Sequence, residues 1–559
     1  MEPLNRIPFV LLFLTLAALP ATVALAQGDP LGHSDRAASL YRVVVTLDGT
    51  GNPTLPVAVL SRQEHVEVIS ATGLRVIGTG DGQVEFRLPP DRPMDVSATD
   101  AKPGVYQHFV VLAQAPSDDL DTLRRLRGLW KERGLPVKAL TSGTTYSLAG
   151  RMLDTRKTLL CLDVSYPKDE AAQARAAELG RQYGEDLSVY AIVAEPPSAQ
   201  LVARARDGSE VQAADVLWFE AVKAASGRNA PLKVIGTRHG TRTELELPGR
   251  IYVVPGQGGG LEVVNEAEIE RILEGVVAAE IFANAPADAL RAQAVATRTD
   301  MLAKVGTRHV TDPYAICSDV HCQAYGGMQK VSARIAQAVA DTKGQVLVDP
   351  DGRLVDAYYH AVSGGHTENN ENAWPGRPQP SLRGQPDQVA GGVDHLANGP
   401  SEEAVAALLA DKDASWAGAS GLNQGALRWK VDKTPAELAT PLQAVGVTQA
   451  LAAIRVLHRG VSGRATSVEL TLADGKKVTI AGELRIRRAF GGLKSSLFLV
   501  QPGPAGAGGV PARWTFTGAG FGHGVGMCQT GAVGRAKAGQ DFKTILGHYY
   551  TAAHVEQLY

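Results

Sequence analysis

Glu280 is a carboxylate at a position where the surrounding pattern calls for an apolar side chain. Ile269, Ile272, Leu273, Val276 and Val277 recur at helical spacing. At about 100° per residue, Glu280 falls near the centre of the face they form, with Glu270 and Glu274 toward its edge or outside it. Asn265, with Glu268 three residues later, resembles a capping box, so the helix is expected to start there and run to about Glu280. A Glu so placed either escapes to solvent past the last turn or is partly desolvated. Desolvation would raise its pKa and keep it protonated near neutral pH, which a general acid in glycoside cleavage requires. Ordinary glycosidases pair two carboxylates, and no convincing second partner for Glu280 stands out.

A second cluster has metal-ligand character. His309, Cys317, His321 and Cys322 lie within fourteen residues, and two Cys with two His form a tetrahedral zinc set. The spacing is not that of a standard finger, and the adjacent His321 and Cys322 must turn together onto one ion. The alternatives are a Cys317 to Cys322 disulfide, which an oxidising exported compartment permits, or two free thiols. A Cys2His2 site is coordinatively closed, so zinc there would be structural and leave proton transfer to Glu280. A zinc hydrolase needs an open position and is disfavoured on that ground. Cys161, inside the apolar run Thr158 to Val164, reads as a small core residue, and Cys528 stands alone in a glycine-rich segment.

The elements that must position these groups follow from periodicity and turn signals. Short alternating strands, among them Val66 to Ile69, Leu74 to Ile77 and Val84 to Leu88, mark a β-rich region over 27–105. Residues 106–195 then read strand, helix, strand, strand, helix, strand, with helices near Asp119 to Arg133 and Asp169 to Tyr183. That is the split βαβ pattern. It looks like SPOR domains, which bind glycan strands, and is shared by many unrelated folds. Residues 196–229 read as linker and strands, and a large α+β unit is expected over 230–559. The fold class is therefore α+β and multidomain, as the length of 559 residues also suggests.

Lys plus Arg number 56 against 58 for Asp plus Glu, with no long run of either sign, so the basic footprint of a nucleic-acid binder is missing. Arg6, the apolar run Val10 to Leu19 and the small-residue site Ala24-Leu25-Ala26 read as a signal peptide over 1–26. Export to the cell envelope, periplasmic or extracellular, follows as an expectation. The apolar run is too short for a final membrane anchor, and an uncleaved anchor is the alternative because the segment before it holds one basic side chain and also Glu2.

Five ordered blocks go further: Val276 to Thr299 (VVAAEIFANAPADALRAQAVATRT), Ile316 to Tyr325 (ICSDVHCQAY), Asp356 to Thr367 (DAYYHAVSGGHT), Gly482 to Leu493 (GELRIRRAFGGL) and Gly520 to Gly531 (GFGHGVGMCQTG). Their sequence and order resemble the SpoIID/LytB family over roughly residues 230–559. Two departures stand out: Ile281-Phe282 where the family usually has Met-Pro, and a diverged, inserted-looking stretch from Gln385 to Gly418. The resemblance implies a peptidoglycan lytic transglycosylase in which Glu280 protonates the leaving glycosidic oxygen between N-acetylmuramic acid and N-acetylglucosamine. As a carboxylate it then takes the proton of the muramic 6-hydroxyl, leaving a 1,6-anhydro end. It implies that Tyr359 and Ser363 face the cleft, the other reading being a strand that ends at the Gly364-Gly365 turn. Gln293 and Arg298 are candidates to hydrogen-bond acetamido or carboxyl groups, and His523 and Gln529 are candidate contacts in a glycine-rich loop that lets backbone approach a ligand. Some members of the family hold zinc at the block around Cys317. The rival reading is a non-catalytic, glycan-binding amidase enhancer with a cell-wall amidase as partner. Trp374 and Trp514 are candidates for sugar stacking, with core packing the alternative.

Overall fold

The computed structural model describes residues 39–559 apart from 42–44, 50, 79–83, 186, 224–229, 320, 375, 413 and 507–509. The expected signal peptide lies outside the described residues. Two antiparallel sheets dominate the first half. One orders the strands Thr46–Leu47, Pro53–Gln63, Leu261–Glu268, Arg250–Pro255, Leu217–Ala221, Leu74–Gly78 and Val84–Leu88, with Ile316–Cys317 added parallel to Pro53–Gln63. The other orders Glu210–Ala214, Ser198–Ala205, Met94–Lys102, Val66–Ser70, Leu232–Arg238 and Thr241–Leu247. Alternate residues of the first sheet go to different cores. Val57, Leu217, Phe219, Ile251 and Val253 join the core shared with the second sheet, whereas Ala58, Trp218, Tyr252 and Val254 form a cluster on the opposite face. Burial on both faces is why these strands carry long apolar runs rather than clean alternation.

This pairing corrects the expected division at residues 27–105, 196–229 and 230. Val57 pairs with Asn265 and Leu217 with Gly78, so the early strands, the supposed linker and the strands after 230 build the same two sheets. Neither set of strands could bury both of its faces alone. Asn265 is correspondingly a strand residue, buried and donating to the Pro248 carbonyl, and not a helix cap. The helix that follows this strand starts at Ile269 without a side-chain cap.

Residues between the paired strands Met94–Lys102 and Ser198–Ala205 form an inserted layer. Strands Val105–Pro116, Val137–Ser142, Lys157–Tyr166 and Ser188–Glu195 make one antiparallel sheet, with the first and third adjacent at its centre. Helices α1 (Leu120–Glu132) and α2 (Asp169–Tyr183) pack on it through Trp130, Ala176 and Leu179. The split βαβ order therefore holds. Cys161 is fully buried in this sheet, as its apolar run indicates.

A hairpin, Thr145–Leu148 with Arg151–Asp154, interrupts this layer and had no clear sequence signal. Its turn places Ala149 at φ 49° and Gly150 at φ 81°, a left-handed pair for which Asn-Gly is the usual marker. The hairpin carries Tyr146, Leu148 and Leu153 into the main core, and the Tyr146 hydroxyl donates to the Leu302 carbonyl at 2.9 Å. Ion pairs Arg353 to Asp118, Arg377 to Asp119 and Arg151 to Glu556 tie the layer to the C-terminal half.

Helices α3 (Ile269–Glu280) and α4 (Ala287–Ala303) follow the sandwich and are enclosed by it and by the C-terminal half. Glu270, expected at the edge of an apolar face, is buried and meets the fully buried Arg298 in a bidentate ion pair at 2.7 and 2.6 Å. The Tyr559 hydroxyl donates to the same carboxylate and Arg298 also donates to the Gln345 carbonyl. Arg298 is thus a strut between α3, α4 and the chain end, and not a sugar contact. Arg298→Met is expected to destabilise the fold by about 3–5 kcal/mol, because it strands a buried carboxylate. Chemical unfolding of the variant beside the wild type should show this.

Candidate active site and metal centre

Glu280 ends α3, and three elements converge on it. Its half-buried carboxylate accepts the Ala324 backbone N–H at 2.7 Å, and its carbonyl accepts the Gln529 side-chain amide at 2.9 Å. The same amide nitrogen donates to Gln293 Oε1 at 3.2 Å, and Gln293 in turn donates to Thr297 at 3.0 Å. Burial raises the Glu280 pKa. The Ala324 N–H, the Lys304 ammonium and the Tyr359 hydroxyl oppose that shift by favouring the charged form, and Asp300 adds to it. The desolvated alternative for this side chain is therefore the one realised.

Of the sequence-derived site residues, Tyr359 joins Glu280: its hydroxyl donates to Gln323 Oε1 and lies close enough to favour the Glu280 carboxylate. Gln293 and Gln529 also come to Glu280, but at its backbone, where they fix the end of α3. Ser363 does not. It is fully buried and donates to Asp387 at 2.8 Å, in a network that also takes the Tyr549 hydroxyl at 2.8 Å and Arg535. Asp387 falls within the stretch 385–418 that looked inserted, yet it is a fully buried anchor of the C-terminal core.

His523 sits apart from the carboxylate in an aromatic cluster, its ring 4.7 Å from Trp374 and 6.3 Å from Tyr358. Burial, with Arg464 nearby, pushes its pKa down to about 3, so the ring is neutral. Trp374 remains 37 % exposed and Trp514 is 2 % exposed in the core, which leaves only the first available to a sugar. The glycines of 520–531 serve internal approach: a Cβ on Gly526 would collide with the Tyr358 carbonyl and one on Gly524 with the Arg464 guanidinium. Cys528 is buried and caps the helix Gln529–Lys537 by accepting the Gly531 N–H.

The Cys/His cluster closes on itself. Cys322 Sγ lies 3.3 Å from His309 Nε2 and 3.6 Å from His321 Nδ1, and Cys317 Sγ lies 3.8 Å from His321 Nδ1. All four ligand atoms lie within 4.8 Å of one another, and the two sulfurs are not bonded to each other. Tetrahedral zinc with ordinary Zn–S and Zn–N bonds sets its donors about 3.4–3.8 Å apart, so the set fits that ion. His309 Nδ1 faces the Asp312 carboxylate at 2.9 Å, leaving Nε2 for a metal, the usual way an outer carboxylate fixes a histidine ligand.

The cluster and the acid share one loop. Cys317 leaves the sheet beside Ala58, Cys322 follows, and Ala324 reaches Glu280. Between them Gln323 donates to Asp300 Oδ2, and Lys304 bridges Asp300 at 2.6 Å and the Cys322 carbonyl at 2.9 Å. Gln323, Ala324, Asp300 and Lys304 have no site signature of their own in the sequence. Asp300 and Lys304 are four apart at the end of α4, a spacing for an ion pair, but nothing in the sequence places that pair beside Glu280. Gln529→Leu is expected to loosen the end of α3 and lower any Glu280-dependent turnover about 10-fold, less than the roughly 100-fold that a full 1 Å misplacement can cost. Turnover measured beside an unchanged circular dichroism spectrum checks this.

Residues 257–348 match a family model described as SpoIID, Stage II sporulation protein, and residues 368–526 match one described as a domain of unknown function, DUF8618. The first span holds Glu280 and the whole Cys/His cluster. An uncharacterized protein of Brachyspira hyodysenteriae is 28 % identical over 316 residues, covering 56 % of this chain and 73 % of that protein. The Amidase enhancer of Bacillus subtilis is 31 % identical over 294 residues, covering 50 % of this chain but 39 % of the enhancer. Stage II sporulation protein D of Bacillus amyloliquefaciens is 25 % identical over 364 residues, covering 61 % of this chain and 90 % of that protein. The matched span around Glu280 and these similarities agree with the five ordered blocks, and together they carry the likeness of this chain to the SpoIID/LytB family.

Proposed function

We propose that the protein is a peptidoglycan lytic transglycosylase of the cell envelope, acting on glycan strands with Glu280 as its single acid and base. The observation that carries this reading is a desolvated carboxylate with a raised pKa, held by a backbone N–H at the end of a buried helix. Protonated Glu280 gives its proton to the bridging oxygen as the glycosidic bond breaks. The resulting carboxylate takes the proton of the muramic 6-hydroxyl as that oxygen bonds to the anomeric carbon. The Ala324 N–H, which donates to the Glu280 side chain, stabilises the carboxylate between the two transfers. The exposed Trp374 face, beside His523, suits a sugar ring.

Zinc held by His309, Cys317, His321 and Cys322 would be structural, fixing the loop that carries Ala324. The layer 105–195 is read as a glycan-binding module of SPOR type. No helix among the described residues is long and apolar enough to cross a membrane, and the expected leader is the route of export. The amidase-enhancer reading has one observation in its favour, the similarity to a protein of that name. Purified protein incubated with denuded glycan separates the two. Release of 1,6-anhydro-muramyl products supports the enzyme, and binding without them supports the enhancer.

A further inference from the structure

We propose that Asp300 is a positioning residue for Glu280, holding Lys304 and Gln323 so that the Lys304 ammonium meets the acid only as half of a neutral pair. The inference rests on the transglycosylase reading and concerns how that acid is kept usable. Asp300 is 3 % exposed and its Oδ2 takes both the Lys304 ammonium at 2.6 Å and the Gln323 amide. Lys304 is spent on Asp300 and on the Cys322 carbonyl, and Gln323 accepts the Tyr359 hydroxyl. One carboxylate therefore gathers a cation, an amide and, through that amide, a phenol, next to the residue whose N–H reaches Glu280.

Besides burial, the groups with the largest effect on Glu280 are the Ala324 N–H, Lys304, Asp300 and the Tyr359 hydroxyl; Asp300 is itself raised by burial and by Asp356, and Lys304 and Gln323 draw it back toward the charged form. A buried ammonium beside a general acid is harmful when uncompensated, since it stabilises the carboxylate and removes the proton to be donated. Asp300 acts in the opposite sense on Glu280, and a close pair of opposite charges has a field that fades much faster than either alone. Lys304 can then brace the loop at Cys322 without stripping Glu280 of its proton.

The test is a comparison of Asp300→Asn, Lys304→Met and the double variant in the full chain. Glu280 is followed by carboxyl NMR of glutamate-labelled protein, its resonance identified by its loss in Glu280→Gln. Asp300→Asn keeps shape and hydrogen bonding but leaves Lys304 uncompensated, so the Glu280 midpoint should fall by about one pH unit. Anhydro-product formation should fall on the order of 10-fold at neutral pH, with its alkaline limb moved down by the same interval and KM unchanged. The double variant, neutral again, should return the midpoint to the wild-type value, which a purely structural role would not do. An unmoved midpoint in folded Asp300→Asn overturns the proposal. If Asp300→Asn does not fold, a double variant whose midpoint differs from wild type by a unit overturns it as well. Wild-type protein that titrates as described but releases no anhydro products at any pH counts against the transglycosylase reading alone.

Discussion

Glu280→Gln is expected to abolish glycan cleavage while leaving the fold and glycan binding intact. The amide keeps the size of the carboxyl group and can still accept the Ala324 N–H, so the end of α3 and the loop 316–325 should not move. What it loses is the transferable proton, and no second carboxylate among the groups that act on Glu280 is free to replace it. Asp300 is tied to Lys304 and Gln323. The loss of one positioned acid and base should lower the rate on the order of 10²-fold to 10⁴-fold. Product analysis by mass spectrometry, with sedimentation on denuded glycan as the binding control, measures both halves. Turnover at the wild-type rate would remove Glu280 from the mechanism.

Protein purified at neutral pH without chelator is expected to carry about one zinc per chain and to lose it on acidification, because the ligands must be thiolates and neutral imidazoles. Cys322→Ser should lower the metal content and the thermal stability together. It should also lower turnover, which sequence spacing alone does not suggest. Read along the chain, acid and cluster are separate motifs, and cleavage should survive loss of the metal. In the fold, Cys322 is followed by the two residues that touch Tyr359, Asp300 and Glu280, so a slack loop releases the Ala324 N–H from the acid. A loss of activity comparable to Gln529→Leu is the expected scale, about 10-fold. Metal analysis that finds no zinc, with Cys317 and Cys322 cross-linked in the intact mass, would replace the ion by a disulfide.

The parts of the molecule legible in sequence are those whose reason is local. Sequence spacing bounds α2 at Asp169 and Tyr183, and α3 at its Glu280 end, because amphipathic spacing and the end of an apolar run are written within one element. The four metal-ligand candidates sit close in the chain and close in space for the same reason. What was missed depends on partners far away. Asn265 has the spacing of a cap but the environment of a sheet, fixed by Val57 and by the Tyr325 hydroxyl. Arg298 and Ser363 have the chemistry of ligand contacts, but Glu270 and Asp387 claim them, and neither pairing has a sequence signature. The role of the glycines near 524–526 is likewise set by a carbonyl and a guanidinium contributed from elsewhere.

The interleaving of early and late strands has a consequence for how the chain acquires its structure. Val57 waits for Asn265, and the strand that begins at Ser198 returns to one that ended at Lys102, so the sandwich cannot close until most of the first half has been made. Contacts of such separation are slow to form, because the entropy of closing the intervening chain must be lost before they stabilise anything. The inserted layer completes its sheet from residues 105–195 alone and can fold first. In that interval the open edges of the early strands, rich in Val and Leu, are unpaired and prone to pair with other copies. A chain of this design is therefore expected to need protection during refolding, with yield from denaturant falling steeply as protein concentration rises.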